Sequence, residues 1–143
     1  MEYQNTMKIS FISKSQNEGF ARVAVAAFIS QLDPTLEEIS DIKTAVSEAV
    51  TNAVIHGYEN SEGMINVSCS FFNNTVEIVI EDKGKGIEDI SKAREPLYTS
   101  KPELERSGMG FTVMETFMDE IEIESVREKG TAIRMRKKLK SLE

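Results

Sequence analysis

Two polar side chains, Glu48 and Asn52, lie in segment 45–55, whose other residues are Ala, Val, Ile, Ser and Thr. They are four residues apart, so in a helix they share one face, one turn from each other. A buried carboxylate needs a partner or its pKa shifts strongly, so a polar ligand is expected there. An amide oxygen suits Mg²⁺, and a nearby carboxylate can accept a proton from an attacking hydroxyl. Taken alone, the pair is more typical of a solvated helix stripe.

A glycine turn follows the alternating apolar residues of 75–82. Asp82 ends that segment, and Gly84 and Gly86 come next. Glycine lets the backbone approach a ligand closely and adopt positive φ. A carboxylate at this position can accept a hydrogen bond from an exocyclic amine such as that of adenine. An ordinary tight turn after a strand explains the same residues equally well.

A second glycine pair opens the helix predicted to begin near 108, with the sequence Gly108, Met109, Gly110 and Phe111. Free amides and the helix dipole make such a start an anion site. Side chains just before it can add charge-assisted contacts to phosphate: Lys101, Arg106 and Ser107. A flexible basic loop is the alternative. The chain has no P-loop consensus and no kinase-type H-R-D or D-F-G motif.

Periodicity predicts the elements that position these residues. Alternating apolar residues predict strands at 7–13, 64–72, 75–82, 120–126 and 131–138. Helical spacing predicts helices at 15–32, at 36–56 and from 108 onward. A two-residue hairpin turn is expected at 73–74. The remaining stretch, 83–107, lacks a clean period, and loops of this length often act as lids.

The helix ends carry their own signals. Ser15 with Glu18, and Thr35 with Glu38, form capping-box patterns, and Gly57 is available for a left-handed cap. The first helix has apolar residues at helical spacing: Phe20, Val23, Ala24, Ala27 and Phe28. The second helix is expected to bury a longer stripe: Leu36, Ile39, Ile42, Val46, Ala49 and Ala53.

The last two strands indicate the architecture. One face of 120–126 carries glutamates and one face of 131–138 carries Arg134, Arg136 and Lys138, which favours pairing on a solvated face. The opposite, apolar face needs cover from the helices. We therefore expect an α+β fold, a two-layer α/β sandwich with a mixed, mostly antiparallel sheet and helices on one face.

Composition excludes several classes of function. The length of 143 residues fits one domain, 1–143, with one core. The net charge of −7 disfavours direct binding to nucleic acid or to an anionic membrane. One cysteine, Cys69, and one histidine, His56, exclude an internal disulfide and a multi-histidine metal site. With no predicted membrane span, a cytoplasmic location is the default expectation.

The order of these motifs resembles the GHKL (Bergerat-fold) superfamily of ATPases and kinases, over essentially the whole chain. Each motif alone is weak, but together on an α/β sandwich they are far more specific. The matching segments are EAVTNAVIHG at 48–57 (the N-box), DKGKG at 82–86 (the G1 box), GMGF at 108–111 (the G2 box), Gly130-Thr131 (the G-T element) and 83–107 (the ATP lid).

A closer resemblance is to the small anti-sigma factors that are also serine kinases, of the sporulation type. The runs FARVAVAAFISQLDPT, SEAVTNAVIHGY, SKPELERSGMGF and METFMDE carry it. It implies a homodimer that uses ATP or ADP with Mg²⁺, binds a sporulation sigma factor, and phosphorylates an anti-anti-sigma factor on serine, inactivating it. Arg22 matches an arginine that contacts partners in this family, although a solvated helix arginine explains it as well.

The resemblance also implies a role for each motif residue. Asn52 would coordinate Mg²⁺, and Glu48 would be the general base toward the acceptor serine. Asp82 would bind adenine with Thr131 assisting, and Arg106 would reach the terminal phosphate. The remaining residues would shape the base pocket or hold phosphate: Gly84, Gly86, Lys101, Ser107, Gly108, Met109, Gly110 and Phe111.

Three alternatives stay open. A general-stress, anti-sigma-B type of serine kinase differs in its partner, which surface residues decide. A nucleotide-dependent binding module without kinase activity is disfavoured by the intact Glu48. A purely structural α/β domain leaves the polar and glycine motifs unexplained. A sensor histidine kinase is disfavoured because the single histidine, His56, lies within the N-box-like segment.

Overall fold

The computed structural model describes residues 3–59, 61–87, 94 and 110–140. Within them the chain forms the following strands and helices, in order: β1 (Asn5–Ile12), α1 (Asn17–Ile29), a 3₁₀ turn (Ser30–Leu32), α2 (Leu36–Asn52), a π turn (Ala53–Gly57), β2 (Met64–Phe72), β3 (Thr75–Asp82), α3 (Gly110–Phe117), β4 (Glu120–Val126) and β5 (Gly130–Lys138). No helix in these described ranges is both long and apolar enough to cross a membrane.

The strands form one sheet in the order β1-β2-β3-β5-β4. Every pairing between these strands is antiparallel, so the parallel pairs of the expected mixed sheet do not occur among the described residues. The predicted hairpin between β2 and β3 is confirmed, with Asn73 in the left-handed region at φ 53°. Pairing of β3 with β5 places Asp82 directly opposite Thr131.

Helices cover one face of the sheet, which confirms the two-layer α+β expectation. The inner strand positions and the helix faces on them are fully buried, and they include Ile65, Val67, Cys69, Ile78, Ile133, Met135, Val25, Ile29, Ile42, Val46 and Met114. Burial raises the pKa of the Cys69 thiol to about 12. A thiol that stays protonated at neutral pH is a poor nucleophile, so this cysteine serves the core.

Helix α1 differs from its prediction in two respects. Its N-cap residue is Gln16, and no side chain caps the start, so the capping box of Ser15 and Glu18 was wrong. Its buried face consists of Ala21, Val25 and Ile29, whereas Phe20 and Val23 of the predicted stripe are 55% and 59% exposed. Apolar residues occur on most sides of this helix, so periodicity alone cannot select the side that meets the sheet.

Helix α2 begins as predicted. Thr35 Oγ1 accepts the Glu38 N–H at 3.1 Å, and the Thr35 N–H donates to the Glu38 carboxylate at 2.8 Å. The same carboxylate accepts the Lys140 N–H at 2.8 Å, which ties the start of α2 to the chain after β5. Most of the predicted stripe is buried, but Leu36 at the start of α2 is 87% exposed.

The helical stretch ends at Gly57, near the predicted end, but its last turn and its cap differ from the prediction. The helix passes into a π turn at Ala53–Gly57, in which the Tyr58 N–H donates to the Ala53 carbonyl at 3.0 Å. Gly57 belongs to this turn and is not a left-handed cap, since positive φ among the described glycines occurs at Gly86 and Gly130. π turns of this kind occur often at functional sites.

The outer face of the sheet carries the predicted charge pairs. Arg136 donates to Glu120 at 2.9 Å and to Glu122 at 3.0 Å. It also donates to Glu77 at 2.7 Å, and the Tyr3 hydroxyl donates to the same carboxylate. Glu77 is only 8% exposed, whereas the Arg134 side chain on the neighbouring strand is 41% exposed. The expected solvated face is therefore interrupted at Glu77.

Candidate active site

Asp82 is a buried carboxylate at the end of β3, 7% exposed. It accepts hydrogen bonds from the Gly84 N–H at 2.9 Å and from the backbone N–H of Thr131. Burial raises the pKa of Asp82 above its ordinary value, although the two N–H groups oppose the shift. Both of these donors are neutral, so they offset the lost hydration only in part. The carboxylate is thus well placed to accept a further hydrogen bond from a ligand.

Three glycines allow neighbouring segments of the backbone to approach Asp82 closely. A Cβ on Gly57 would lie 2.8 Å from the Asp82 Cγ, and a Cβ on Gly130 would lie 2.1 Å from the Asp82 carbonyl oxygen. A Cβ on Gly84 would lie 2.0 Å from the Gly57 carbonyl oxygen. At all three positions, the distance from the added Cβ to its neighbour is shorter than a side chain tolerates. The π turn after α2, the turn after β3 and the start of β5 therefore meet only because each contributes a glycine.

The turn at 83–87 is joined to the end of the β4–β5 hairpin. Gly86 has φ 80°, and a Cβ there would lie 2.5 Å from the Val126 carbonyl oxygen. The Lys85 carbonyl accepts the Glu128 N–H at 2.6 Å, and the Lys85 N–H donates to the Gly57 carbonyl at 2.9 Å. The predicted glycine turn is therefore held in place by backbone contacts on both sides.

Thr131 lies beside Asp82 as expected, and its side chain meets a residue that the sequence analysis missed. The Thr131 Oγ1 is 2.8 Å from the Ser125 Oγ, across the β4–β5 pair. Ser125 Oγ also accepts the Ile87 N–H at 2.6 Å and lies 3.2 Å from the Gly130 carbonyl oxygen. The available signal was its parity, because Ser125 follows the inward-facing Ile121 and Ile123 in alternation.

Glu48 and Asn52 lie on one face of the continuous helix α2, both half-buried, as their spacing predicts. Asn52 is the last residue of α2 before the π turn that carries Gly57 to Asp82. Helix α2 and its π turn thus connect Glu48, the proposed base, and Asn52, the proposed metal ligand, to Asp82. Sequence spacing alone did not reveal that the link is a π turn.

A cavity of about 570 Å³ lies between α1 and α2. Arg22 lines it from α1, and Lys43, Ser47 and Glu48 line it from α2. The Ser47 hydroxyl is buried and has no hydrogen-bond partner in the described part of the chain. Arg22 forms an ion pair with Glu18 at 3.3 Å, and its side chain is 41% exposed. The structure therefore brings Arg22 and Glu48, predicted as partner contact and base, to one cavity.

The start of α3 supports only part of its prediction. Gly110 is the first residue of α3, and the Phe111 ring is packed in the core, so Phe111 can offer a ligand only its backbone amide. Of the predicted lid, residues 83–87 and Arg94 are described, and Arg94 donates to Glu115 of α3 at 2.6 Å. Several predicted site residues lie outside the described residues: Lys101, Arg106, Ser107, Gly108 and Met109.

Residues 13–137 match the family model described as the histidine kinase-like ATPase domain. The chain is 65% identical over 140 residues to the anti-sigma F factor of Clostridium novyi (strain NT), covering 97% of this chain and 98% of that protein. It is 67% identical over 141 residues to the anti-sigma F factor of Clostridium botulinum (strain Eklund 17B / Type B), covering 98% and 99%.

Solved structures share the fold. The RsbU and RsbW domains of a Mycobacterium tuberculosis protein superpose with a TM-score of 0.68 at 20% identity, over 95% of this chain and 32% of that one. The catalytic domain of histidine kinase ThkA gives a TM-score of 0.59 at 15% identity, over 93% and 96%. Family match and whole-length identity agree: the chain belongs to the nucleotide-binding histidine kinase-like ATPase domain family and, within it, to the anti-sigma F factors.

Proposed function

We propose that this protein is a cytoplasmic anti-sigma factor and an ATP-dependent protein-serine kinase, acting as a homodimer. It binds and inhibits a sporulation sigma factor, and the name of its relatives, anti-sigma F factor, supports a sigma factor as the partner. It phosphorylates and so inactivates a small anti-anti-sigma protein. The observation that carries the kinase part is the cavity between α1 and α2, which has Arg22 at one side and Glu48 at the other.

The residues around Asp82 fit an adenine nucleotide. A buried carboxylate with a raised pKa offers an acceptor for an exocyclic amine, and the glycines beside it let the backbone approach closely. One turn of α2 away from Glu48, the Asn52 amide oxygen is a suitable hard ligand for Mg²⁺. A nucleotide bound there would supply the phosphoryl group, and a metal held by Asn52 would neutralise part of its charge. Arg106 and the amides of 108–111 stay proposed contacts to the phosphates.

Glu48 would act as the general base. It would accept the proton of the acceptor serine while the serine Oγ forms its bond to the terminal phosphorus and the bond from that phosphorus to the ADP oxygen breaks. The products are a phosphoserine and ADP. Phosphoryl transfer depends mainly on positioning and on charge neutralisation, and a half-buried carboxylate on a rigid helix supplies the positioning.

The acceptor protein would approach through the cavity between α1 and α2. Arg22 and Lys43 give this cavity two cations, which favour an acceptor segment with carboxylate side chains. The Ser47 hydroxyl, one residue from Glu48, has no partner among the described residues and would offer a hydrogen bond to the backbone of that segment. These contacts would hold the acceptor serine beside the base.

The test compares Glu48→Ala and Glu48→Gln with the wild-type protein, using labelled ATP and a purified candidate anti-anti-sigma protein. We expect phosphoserine formation to fall by about 10²-fold or more, because general-base catalysis contributes that much, while ATP affinity stays within about twofold. Glu37→Ala, an exposed glutamate of the same helix, is the matched control and should transfer phosphate normally.

Two outcomes would contradict parts of this proposal. Transfer at the wild-type rate by Glu48→Ala would remove the base. A wild-type protein that binds ATP and a sigma factor but yields no phosphoserine with any candidate substrate would instead be a nucleotide-dependent binding module. Preference for a general-stress sigma factor over a sporulation sigma factor in the same binding assay would move the protein to the anti-sigma-B type.

A further inference from the structure

Ser125 joins two parts of the site that are far apart in sequence, Thr131 and the turn at 83–87. We propose that Ser125 is a positioning residue that couples ligand binding at Asp82 and Thr131 to the position of this turn. The inference rests on the proposed nucleotide site. It assigns a role to a hydroxyl that none of the sequence motifs includes, on strand β4.

The contacts of Ser125 reach both parts through one oxygen atom. Its Oγ accepts the Ile87 N–H at 2.6 Å, and Ile87 ends the described part of the turn. The same oxygen lies 2.8 Å from the Thr131 Oγ1 and 3.2 Å from the Gly130 carbonyl oxygen. Thr131 in turn donates its backbone N–H to Asp82. Three hydrogen-bonding groups thus converge on a single half-buried hydroxyl.

The hydrogen-bonding capacity of a hydroxyl limits how these groups combine. A serine or threonine hydroxyl has one proton to donate and two lone pairs to accept with. When Thr131 donates to Ser125, the Ser125 proton is free to go to the Gly130 carbonyl, and Ser125 accepts from both Thr131 and Ile87. Every group is then satisfied, so this arrangement suits the ligand-free protein.

A ligand that accepts the Thr131 proton changes the arrangement. Ser125 can then turn its own proton from Gly130 to the Thr131 oxygen, while it still accepts the Ile87 N–H. The heavy atoms stay in place and only two protons change partner. Because chains of hydrogen bonds polarise one another, ligand binding at Thr131 changes the strength of the Ile87–Ser125 hydrogen bond, and this hydrogen bond in turn affects the affinity for the ligand. Removing the Ser125 hydroxyl should therefore weaken both.

The turn has few other contacts that could replace this one. Lys85 bonds to the Gly57 carbonyl and to Glu128, and both of these bonds lie before Gly86. Among the described residues, the bond to Ser125 is the last that the turn makes, after the left-handed Gly86 at φ 80°. The direction in which the chain leaves the Asp82 pocket at Ile87 thus depends on this hydroxyl.

The test uses Ser125→Ala and Ser125→Thr, with Ser10→Ala as control for the loss of a strand serine hydroxyl at an exposed site. Ser125→Ala should weaken binding of ATP with Mg²⁺ about fivefold to tenfold in calorimetry, the scale of one hydrogen bond. It should also speed hydrogen exchange at the Ile87 amide in the ligand-free protein. Ser125→Thr, which keeps the hydroxyl, should stay within about twofold of wild type on both measures.

Thr131→Val separates the two ends of the proposed link. It removes the proton offered to the ligand but leaves Ser125 bonded to Ile87, so ATP affinity should fall while exchange at Ile87 in the ligand-free protein stays slow. Because the two residues act through one network, the double variant should lose less binding free energy than the sum of the losses of Ser125→Ala and Thr131→Val. If Ser125→Ala does not fold, Thr131→Val and Ser125→Thr still give both measures.

The outcomes distinguish this inference from the proposed function. If Asp82→Asn binds ATP as the wild type does, the nucleotide assignment at Asp82 fails. If Asp82→Asn loses affinity but Ser125→Ala keeps both its affinity and its slow exchange at Ile87, only the coupling through Ser125 is overturned. A loss of affinity with unchanged exchange at Ile87 also overturns it, since Ser125 would then serve the pocket alone.

Discussion

At the residue scale, two buried carboxylates of the same strand, Glu77 and Asp82, have pKa values shifted in opposite directions. Burial raises the pKa of Asp82, and its neutral backbone donors do not reverse the shift. Burial acts in the same direction on Glu77, but hydrogen bonds from Tyr3 and Arg136, with the nearby charge of Arg134, hold its pKa below the usual range. Among the described residues, neutral backbone donors meet Asp82 where cations meet Glu77, which suits Asp82 to meet a ligand.

The opposite shifts predict opposite effects of pH on folding. A group whose pKa is raised on folding adds stability below its ordinary pKa, and loses that contribution as pH rises through the folded value. The free energy of unfolding of the wild type, minus that of Asp82→Asn, should therefore fall as pH rises from about 3.5 to about 7. Denaturant titrations of both proteins across this range measure the difference.

Glu77→Gln serves as the internal control for that measurement. Because the Glu77 pKa is lowered on folding, its contribution is present above its ordinary pKa and lost as pH falls through the folded value. The corresponding difference should rise with pH over the acid range. If both free-energy differences change in the same direction as pH rises, the assignment of Asp82 as the destabilised carboxylate is contradicted.

At the element scale, the site depends on where α2 ends. The capping box at Thr35 and Glu38 sets the start of the helix, and the π turn at Ala53–Gly57 sets its end. Between them, the phase of the helix places Glu48 and Asn52 on one face. The π turn then brings Gly57 against Asp82, where no side chain would fit. The helix and the strand β3 thus share one site through a glycine contact.

Two glycine-to-alanine substitutions test this contact. Gly84→Ala would place a Cβ 2.0 Å from the Gly57 carbonyl oxygen, and backbone atoms on both sides cannot move apart without opening the site. We expect a loss of about 3 kcal/mol in the free energy of unfolding, together with lost ATP binding. Chemical denaturation and calorimetry provide the two measurements.

Gly19→Ala in α1 is the matched control. Its Cβ would meet an Arg22 Nη at 3.7 Å, which is ordinary contact, in a helical position where alanine is favoured. It should raise the free energy of unfolding by about 0.4–1 kcal/mol and leave ATP affinity unchanged. Equal effects of the two substitutions would show that the Gly57–Gly84 approach does not hold the site together.

At the scale of the whole molecule, a ligand that binds only the folded state stabilises it by mass action. At about 100 times its dissociation constant, ATP with Mg²⁺ should add about 2.7 kcal/mol and raise the melting temperature by several degrees. Glu48→Ala should keep this increase, because it removes the base and not the pocket, whereas Asp82→Asn should lose most of it.

Thermal melting with and without EDTA completes that measurement. Chelation should reduce the increase given by ATP if the metal helps to hold the phosphates, as proposed for Asn52. An Asn52→Asp variant keeps an oxygen at the same position and should retain part of the dependence on metal, whereas Asn52→Leu should lose it. The same stabilisation in all of these proteins would place the nucleotide elsewhere on the molecule.

The sequence alone determined much of this protein, because local patterns are strong where one face of an element is buried. Strand alternation predicted the five strands, and the Thr35 capping box predicted the start of α2. The family resemblance implied that Thr131 assists Asp82, and the two residues are opposite each other in the sheet. Motif spacing also placed Glu48 and Asn52 on one face of α2. These features depend on periods of two or about four residues, which a sequence shows directly.

Tertiary structure decided what local patterns leave open. Apolar residues on most sides of α1 meant that only packing against the sheet could expose Phe20 and bury Ala21. The π turn depends on the approach of Gly57 to Asp82, which are 25 positions apart in the numbering. Ser125 matters because its hydroxyl meets Thr131 and Ile87 at once. Contacts between distant segments have no period along the chain, so only the fold could reveal them.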